Sequence, residues 1–360
     1  MHINQICNKF GIAGEMISCD VIKSGNINDT FKVTFRSGAC EDIYIVQQIN
    51  TYVFKNPVEM MRNISLVTTH IKEKLGDKSA RMVLEFLKTS SGESCFFDDE
   101  EKCWRAYRFI DDSVTFDTSD DLEIMEQAGF AFGNFQMMLG DFDAAVLFET
   151  IPAFHDTEKR METLFSHISE DPIGRVCEAE AEISFFRENY DRAVKLTAMQ
   201  KKGELPLRVT HNDTKCNNVL FDINTKKALA VIDLDTVMPG LALHDYGDAV
   251  RFSANTAEED EPDVTKISLD KEKFRAFTKG FLAAAGSVLT AAEKENLVDS
   301  VIVIAMELAS RFLDDYLTGD KYFKTDYPGH NLVRTRAQIT LAKDIIARYD
   351  ELNAEVKTLI

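Results

Sequence analysis

The chain predicts an α+β fold in two lobes, a strand-rich first part carrying one helix and a mostly helical second part. Three observations lead there. About the first hundred of its 360 residues read as strands rich in β-branched and aromatic residues, with one helical stretch among them. From Ser119 onward the apolar spacing becomes helical. A group of short strands and polar turns over 205–235 interrupts those helices.

In order, Ile17–Ser24, Thr30–Arg36 and Ile43–Ile49 read as strands separated by turns bearing Gly and Asn. Pro57 opens a helix with Val58, Met61, Ile64, Leu66, Val67 and Ile71 at helical spacing, Pro being favoured in a first turn. Met82–Lys88 and Cys103–Ile110 complete a five-stranded antiparallel sheet, joined through the polar stretch Thr89–Glu101. The strands stop within Trp104–Ile110, so the hinge belongs there and the lobes run over 1–110 and 111–360. Helices are expected over Leu122–Leu139, Arg175–Gln200, Lys271–Ala285, Ala292–Leu317 and Asn331–Lys357. The acidic run Glu258–Asp263 reads as a solvated loop.

Composition narrows the partners. A formal charge of −19 disfavours nucleic acid or an anionic membrane surface, both of which need a basic face. Any phosphate site must therefore be built locally, from a metal ion, helix N-termini and a few basic side chains. Seven scattered cysteines without a C-x-x-C pair read as reduced thiols of a cytoplasmic protein. The seven histidines show no zinc-ligand spacing. The N-terminus has no signal-peptide pattern, and the apolar stretch near 300–309 is too short for a membrane span. No obligate protein partner is evident.

Residues 211–220 read His-Asn-Asp-Thr-Lys-Cys-Asn-Asn-Val-Leu, and Val231-Ile232-Asp233-Leu234-Asp235 follows. The first segment matches the kinase catalytic loop H-x-D-x-x-x-x-N, in which the aspartate orients and deprotonates a hydroxyl and the asparagine holds magnesium. That assigns the base to Asp213 and a metal contact to Asn218. Asp233, at the end of an apolar strand, stands where the second metal ligand belongs. Lys215 falls two residues after Asp213, where protein kinases keep a lysine on the γ-phosphate. The strand–loop–strand context supports the motif, whose plain alternative is a surface loop with capping Asp and Asn.

Nucleotide-binding candidates lie in the first part. Main-chain groups around Tyr107 and Phe109, at the hinge, can read an adenine edge. The turn Ser24-Gly25-Asn26-Ile27-Asn28-Asp29 lies where a phosphate loop would, making Gly25 and Asn28 candidates, although its one glycine is a weak signal and a plain hairpin is the alternative. The third strand offers Gln47 and Gln48 where protein kinases have a lysine paired with a helix glutamate, leaving magnesium more of the phosphate charge to offset.

Together these residues resemble the aminoglycoside phosphotransferase superfamily, the small-molecule branch of the protein-kinase-like fold, and within it the bacterial N-acetylhexosamine 1-kinases. The similarity includes Asn28–Phe31, Ile45–Asn50, Met61–Asn63, Leu207–Lys215, Ile232–Asp235, Asp245–Asp248, Arg311–Leu313, Tyr327-Pro328 and His330–Arg336. It implies ATP and Mg2+ as cofactors and transfer of phosphate to the C1 hydroxyl of N-acetylglucosamine or N-acetylgalactosamine. It also implies substrate contacts from Asn26, Asp213, Arg311 and Tyr322, and a nucleotide contact from Gln47, since the family shares the Gln-Gln pair. Asn26 stands where a histidine is expected, which leaves the sugar preference open because the two side chains differ in reach and donors. Other acceptors on the same fold are homoserine, choline, a methylthio-sugar or an aminoglycoside, and a nucleotide-binding pseudokinase scaffold is the non-catalytic alternative. For Arg311 the competing reading is an ion pair with Glu307 or Asp315 on its helix. Asp235 is a candidate metal contact or supporting acid. Asp245 and Asp248 read as structural, with Asp245 capping a helix or holding the catalytic loop.

Overall fold

The computed structural model describes residues 2–22 and 27–360. A short helix α1 (Ile3–Lys9) precedes strands β1 (Glu15–Ile22), β2 (Asp29–Ser37) and β3 (Cys40–Ile49). Helix α2 (Pro57–Leu75) starts on its proline and carries Met60, Met61, Ile64, Val67 and Ile71 along one buried stripe. Strands β4 (Phe96–Phe97) and β5 (Cys103–Arg108) complete an antiparallel sheet in the order β1-β2-β3-β5-β4. The expected five strands are there, with one substitution. Met82–Lys88 flanks β5 through Leu87 N–H to Ala106 C=O (2.8 Å) and Arg108 N–H to Glu85 C=O (3.0 Å), but only Phe86 forms a bridge. The two-residue β4 occupies the rest of that edge instead.

Strand β5 runs through Arg108, so the main chain crosses to the second part over 109–112, at the far end of the segment assigned to the hinge. The short β6 (Ser113–Val114) then joins β8 (Val219–Asp222) and β9 (Ala228–Val231), while β7 (Arg208–Thr210) pairs with β10 (Met238–Gly240). The helices are α3 (Leu122–Met138), α4 (Thr157–Glu170), α5 (Glu180–Glu188), α6 (Tyr190–Ala193), α7 (Lys195–Lys201), α8 (Ala242–Ser253), α9 (Lys271–Ala285), α10 (Ala291–Glu295), α11 (Leu297–Thr318), α12 (His330–Ala347) and α13 (Tyr349–Lys357). Three expected long helices are thus broken. Asn189 and Asn296 turn their side-chain amides onto the carbonyls of Phe185 (2.9 Å) and Ala292 (2.7 Å), taking over acceptors at the ends of α5 and α10. The first of the three is interrupted again at Val194, and the last breaks at Arg348.

Packing positions the site. Gly129 and Gly133 of α3 and Gly280 of α9 let the two helices meet backbone to backbone; a Cβ at Gly280 would lie 1.9 Å from the Glu126 carbonyl oxygen. This close pair presents Phe132, Phe135 and Gln136 to the loop after β7. One apolar cluster joins α1 to the sheet through Ile6, Phe10, Val33, Val46 and Trp104. A second runs from Met60, Met61 and Ile64 of α2 to Phe135, Val209, Leu234 and Val237, so α2 packs on both sides of the crossing. Among the described residues, no helix is long and apolar enough to cross a membrane. All seven cysteines are free.

Candidate active site

The loop after β7 is held from beneath by a single carboxylate. Asp245, inside α8, receives the backbone N–H groups of His211 (2.9 Å) and Asn212 (2.8 Å) and the Gln136 amide (3.0 Å). It therefore holds the loop and does not cap the helix, whose first turn it occupies. Burial raises its pKa, working against the charge that these donors stabilise. Asn212 takes the left-handed conformation (φ 64°) and ties its amide to the Thr236 carbonyl at 2.8 Å. The His211 ring lies edge-on to Phe132 and Phe135 and bonds the Ile232 carbonyl at 2.8 Å. Asp248 accepts from the Thr214 N–H at 3.2 Å and pairs with Arg251 at 2.8 Å. Both aspartates are structural.

On this frame Asp213 emerges half-buried. Asn218 donates to its carbonyl (2.8 Å) and carboxylate (3.2 Å), and the Lys215 ammonium lies 3.1 Å from its Oδ1. Burial opposes the Lys215 charge, but Asp213 and Asp248 outweigh it and raise the pKa. Asp233 lies two residues beyond β9 in a left-handed conformation (φ 58°), with its side chain exposed. The surrounding protein, then the like charges of Asp235 and Asp213, push its carboxyl up to about 6.

Asp235 is occupied at both oxygens. Arg105 forms a buried ion pair with Oδ1, and Asn28 donates to Oδ2 at 2.7 Å. Asn28 also accepts the Asn50 N–H at 2.9 Å, so it ties the start of β2 to the end of β3 and to Asp235. Gln47 is likewise engaged at both ends, donating to Thr30 Oγ1 (3.0 Å) and accepting from Arg105 Nε (2.8 Å). Gly25 and Asn26 lie outside the described residues. The Tyr107 ring packs 5.1 Å from Phe86, and burial raises the pKa of its hydroxyl. The Phe109 N–H is taken by the Ile43 carbonyl at 3.0 Å, while its ring sits 4.1 Å beneath the Lys32 ammonium.

Arg311 and Tyr322 form a separate wall. Asp315 accepts the N–H groups of Lys321, Tyr322 (2.8 Å each) and Phe323 (2.9 Å), which seats the tyrosine beside the helix. The Arg311 guanidinium lies over Phe154 (5.6 Å), Tyr322 (5.8 Å) and Phe323 (5.4 Å). The alternative ion pair is not formed, because Glu307 binds His155 (2.9 Å) and Asp315 is engaged as above. Among the described residues, no carboxylate pairs with Arg311 and no hydrogen bond joins it to Asp213. The link between the walls is indirect: Phe154 beneath Arg311 precedes His155, whose ring lies 4.7 Å from His244, the residue before Asp245.

Sequence reading missed this cluster. His155 Nε2, both His244 ring nitrogens and Glu307 Oε2 are buried without partners among the described residues. Burial, then His155, push His244 down to about 3. Burial opposes the Glu307 charge, yet His155 and Arg160 hold its carboxyl below the usual range. The apolar spacing of Met161, Leu164 and Ile168 after a capping Asp156 was the available signal for α4, which carries Arg160.

Comparison with known proteins agrees with this architecture. An aminoglycoside phosphotransferase from Alicyclobacillus acidocaldarius superimposes with a TM-score of 0.60 at 12% identity, covering 100% of this chain and 97% of that one. A choline kinase from Cryptosporidium parvum gives 0.54 at 14%, covering 99% and 98%. A spectinomycin phosphotransferase solved with ADP and spectinomycin gives 0.57 at 12%, covering 96% and 97%. At such identities the likeness establishes the kinase-like fold. Residues 83–278, more than half of the sequence, match the phosphotransferase enzyme family. The chain belongs to that phosphotransferase enzyme family.

Proposed function

We propose that this phosphotransferase uses ATP to phosphorylate the anomeric hydroxyl of N-acetylhexosamines, giving the sugar 1-phosphate and ADP. The observation that carries the reading is the grouping of Asp213, Lys215 and Asn218 on one rigid loop, with Asp233 near enough to feel the charge of Asp213. Asp213 accepts the C1 hydroxyl and takes its proton as the oxygen attacks phosphorus. Lys215, already beside Asp213, offsets charge on the transferring phosphoryl group. Residues 1–110 hold the nucleotide, using the turn that bears Gly25 and Asn28 and the main chain around Tyr107 and Phe109, where the Phe109 N–H, already given to Ile43, is not one of the contacts. Residues 111–360 hold the catalytic loop and the sugar, in a cytoplasmic protein.

Magnesium suits the residues present. Among the described residues no three His, Cys, Asp or Glu side chains gather as a metal site, so a cation must draw on Asn218, Asp233 and the nucleotide itself. That is how this ion is commonly held, by one or two carboxylates plus phosphate oxygens. The Asn218 amide nitrogen is committed to Asp213, leaving Oδ1 as its available end. Desolvation by the surrounding protein, and then the like charges of Asp235 and Asp213, raise the Asp233 pKa, and a cation would offset that repulsion. When bound, magnesium neutralises phosphate charge and keeps the transferring group aligned.

A neutral acceptor is favoured over a quaternary amine by the Arg311 wall. Three aromatic rings that could cage a ligand cation already hold the protein's own guanidinium. A second cation would meet repulsion there, whereas sugar hydroxyls would find donors. Asn26 and Tyr322 complete the sugar contacts in this reading. Initial rates with N-acetylglucosamine, N-acetylgalactosamine, homoserine and choline, measured side by side with Mg-ATP, test it. The two sugars should dominate; a clear preference for choline or homoserine would replace the acceptor and keep the kinase.

A further inference from the structure

The third strand carries Gln47 where protein kinases place a phosphate-binding lysine, and a cation stands one strand away. Strand register pairs Gln47 with Thr30 on β2 and with Arg105 on β5. The side chains follow the register: Gln47 donates to Thr30 at 3.0 Å and accepts from Arg105 Nε at 2.8 Å. The guanidinium then reaches across the cleft, where Nη1 pairs with Asp235, and α2 offers it the Met61 sulfur at 3.7 Å. Arg105 is only 2% exposed. Its Nη2 is the guanidinium nitrogen without a hydrogen-bond partner among the described residues.

We propose that Arg105 is the nucleotide-phosphate contact that the third strand lacks, its Nη2 meeting the polyphosphate while Gln47 and Asp235 hold the guanidinium in place. The proposal rests on ATP as donor and on no assumption about the acceptor. Arginine suits the task because its planar fork presents separate edges, one for a carboxylate and one for a phosphate. A lysine, a point charge on a flexible stem, could not keep both with fixed geometry. Asp235 lies two residues beyond Asp233, so the anchored guanidinium stands beside the carboxylate assigned to the metal. Gln47 becomes a positioning residue, its amide filled within the sheet. Asn28, on the other oxygen of Asp235, ties the start of β2 to the same anchor.

The test is calorimetric binding of Mg-ATP and of adenosine to the wild type, Arg105→Gln, Arg105→Lys and the double variant Arg105→Gln/Asp235→Asn. Removing Arg105 alone strands a buried carboxylate, so that variant is expected to melt earlier; the double variant removes both charges and restores the melting temperature. Mg-ATP affinity should fall roughly tenfold or more in Arg105→Gln and stay low in the double variant, while adenosine affinity stays within about twofold. Arg105→Lys should also lose Mg-ATP affinity. Recovery of Mg-ATP affinity in the double variant would overturn the proposal, since Arg105 would then serve only to balance Asp235. Equal losses for Mg-ATP and adenosine would also overturn it. A wild type that binds no Mg-ATP would overturn the nucleotide reading itself, before any variant is compared.

Discussion

Asn218 donates its side-chain amide to Asp213 at two points, the backbone carbonyl at 2.8 Å and the carboxylate at 3.2 Å. The five-residue spacing of the motif thus closes into a ring that aims one carboxylate and leaves one amide oxygen free. Orientation of this kind is most of what phosphoryl transfer asks of a protein.

Asp213→Asn keeps the shape of this ring and removes the proton acceptor. Turnover should fall by on the order of 10²–10⁴, while the Kd for Mg-ATP stays within about threefold. Single-turnover rates and calorimetry separate the two effects. Full turnover in this variant removes Asp213 from the base role.

The loop depends on Asp245 just as directly. Asp245→Asn replaces one acceptor oxygen with a donor that faces N–H groups, so a buried donor is left unpaired. We expect about 1–3 kcal/mol of lost stability in urea unfolding, together with slower turnover. Unchanged stability would show that the loop is held by other contacts.

Arg311→Ala empties the position between Phe154, Tyr322 and Phe323. Sugar kcat/KM should fall by roughly tenfold or more, and choline should begin to bind, a cation–ring contact of about 1–2 kcal/mol becoming available to it. Equilibrium dialysis with labelled choline reads the gain. Continued exclusion of choline with undiminished sugar turnover would detach this wall from acceptor recognition.

Acid should weaken the fold through His244. Its folded pKa, about 3, lies below the 6.5 of an ordinary histidine, so the unfolded chain takes up the proton first as pH falls. Well above pH 6.5 the ring is neutral in both states and its burial costs nothing; as pH falls through that value stability declines, by about 2 kcal/mol at pH 5. Glu307, also held below its ordinary range, adds to the loss only in more acidic solution. Urea unfolding between pH 5 and 7.5 should therefore show a slope that His244→Phe flattens. An identical slope in that variant assigns the effect elsewhere.

Much of the site could be read from local sequence because its parts are local. Asp213, Lys215 and Asn218 share one loop, and Asp233 follows the next strand pair by two residues, so residue type and spacing suffice to group them as candidates. What escaped depends on distant partners. For Asp245 the neighbours leave two readings open, a helix cap or a tether for the catalytic loop, and the second is decided only when α8 packs beneath a loop more than thirty residues earlier. Arg105 carries no motif; its alignment with Gln47 is a matter of strand register, and Asp235 reaches it from across the cleft. The unpartnered cluster of His155, His244 and Glu307 joins a loop to two helices, with no spacing signal at all. Among the sheet strands, Met82–Lys88 had the composition of a strand but found only part of an edge to pair with.

The most direct test of the central claim is phosphorus NMR of the purified protein with Mg-ATP and N-acetylglucosamine or N-acetylgalactosamine. ATP signals should decay as ADP and a phosphate ester coupled to the anomeric proton appear, with no such ester when Asp213→Asn replaces the wild type. A product phosphorylated at another hydroxyl, or ATP left intact with both sugars, would contradict it.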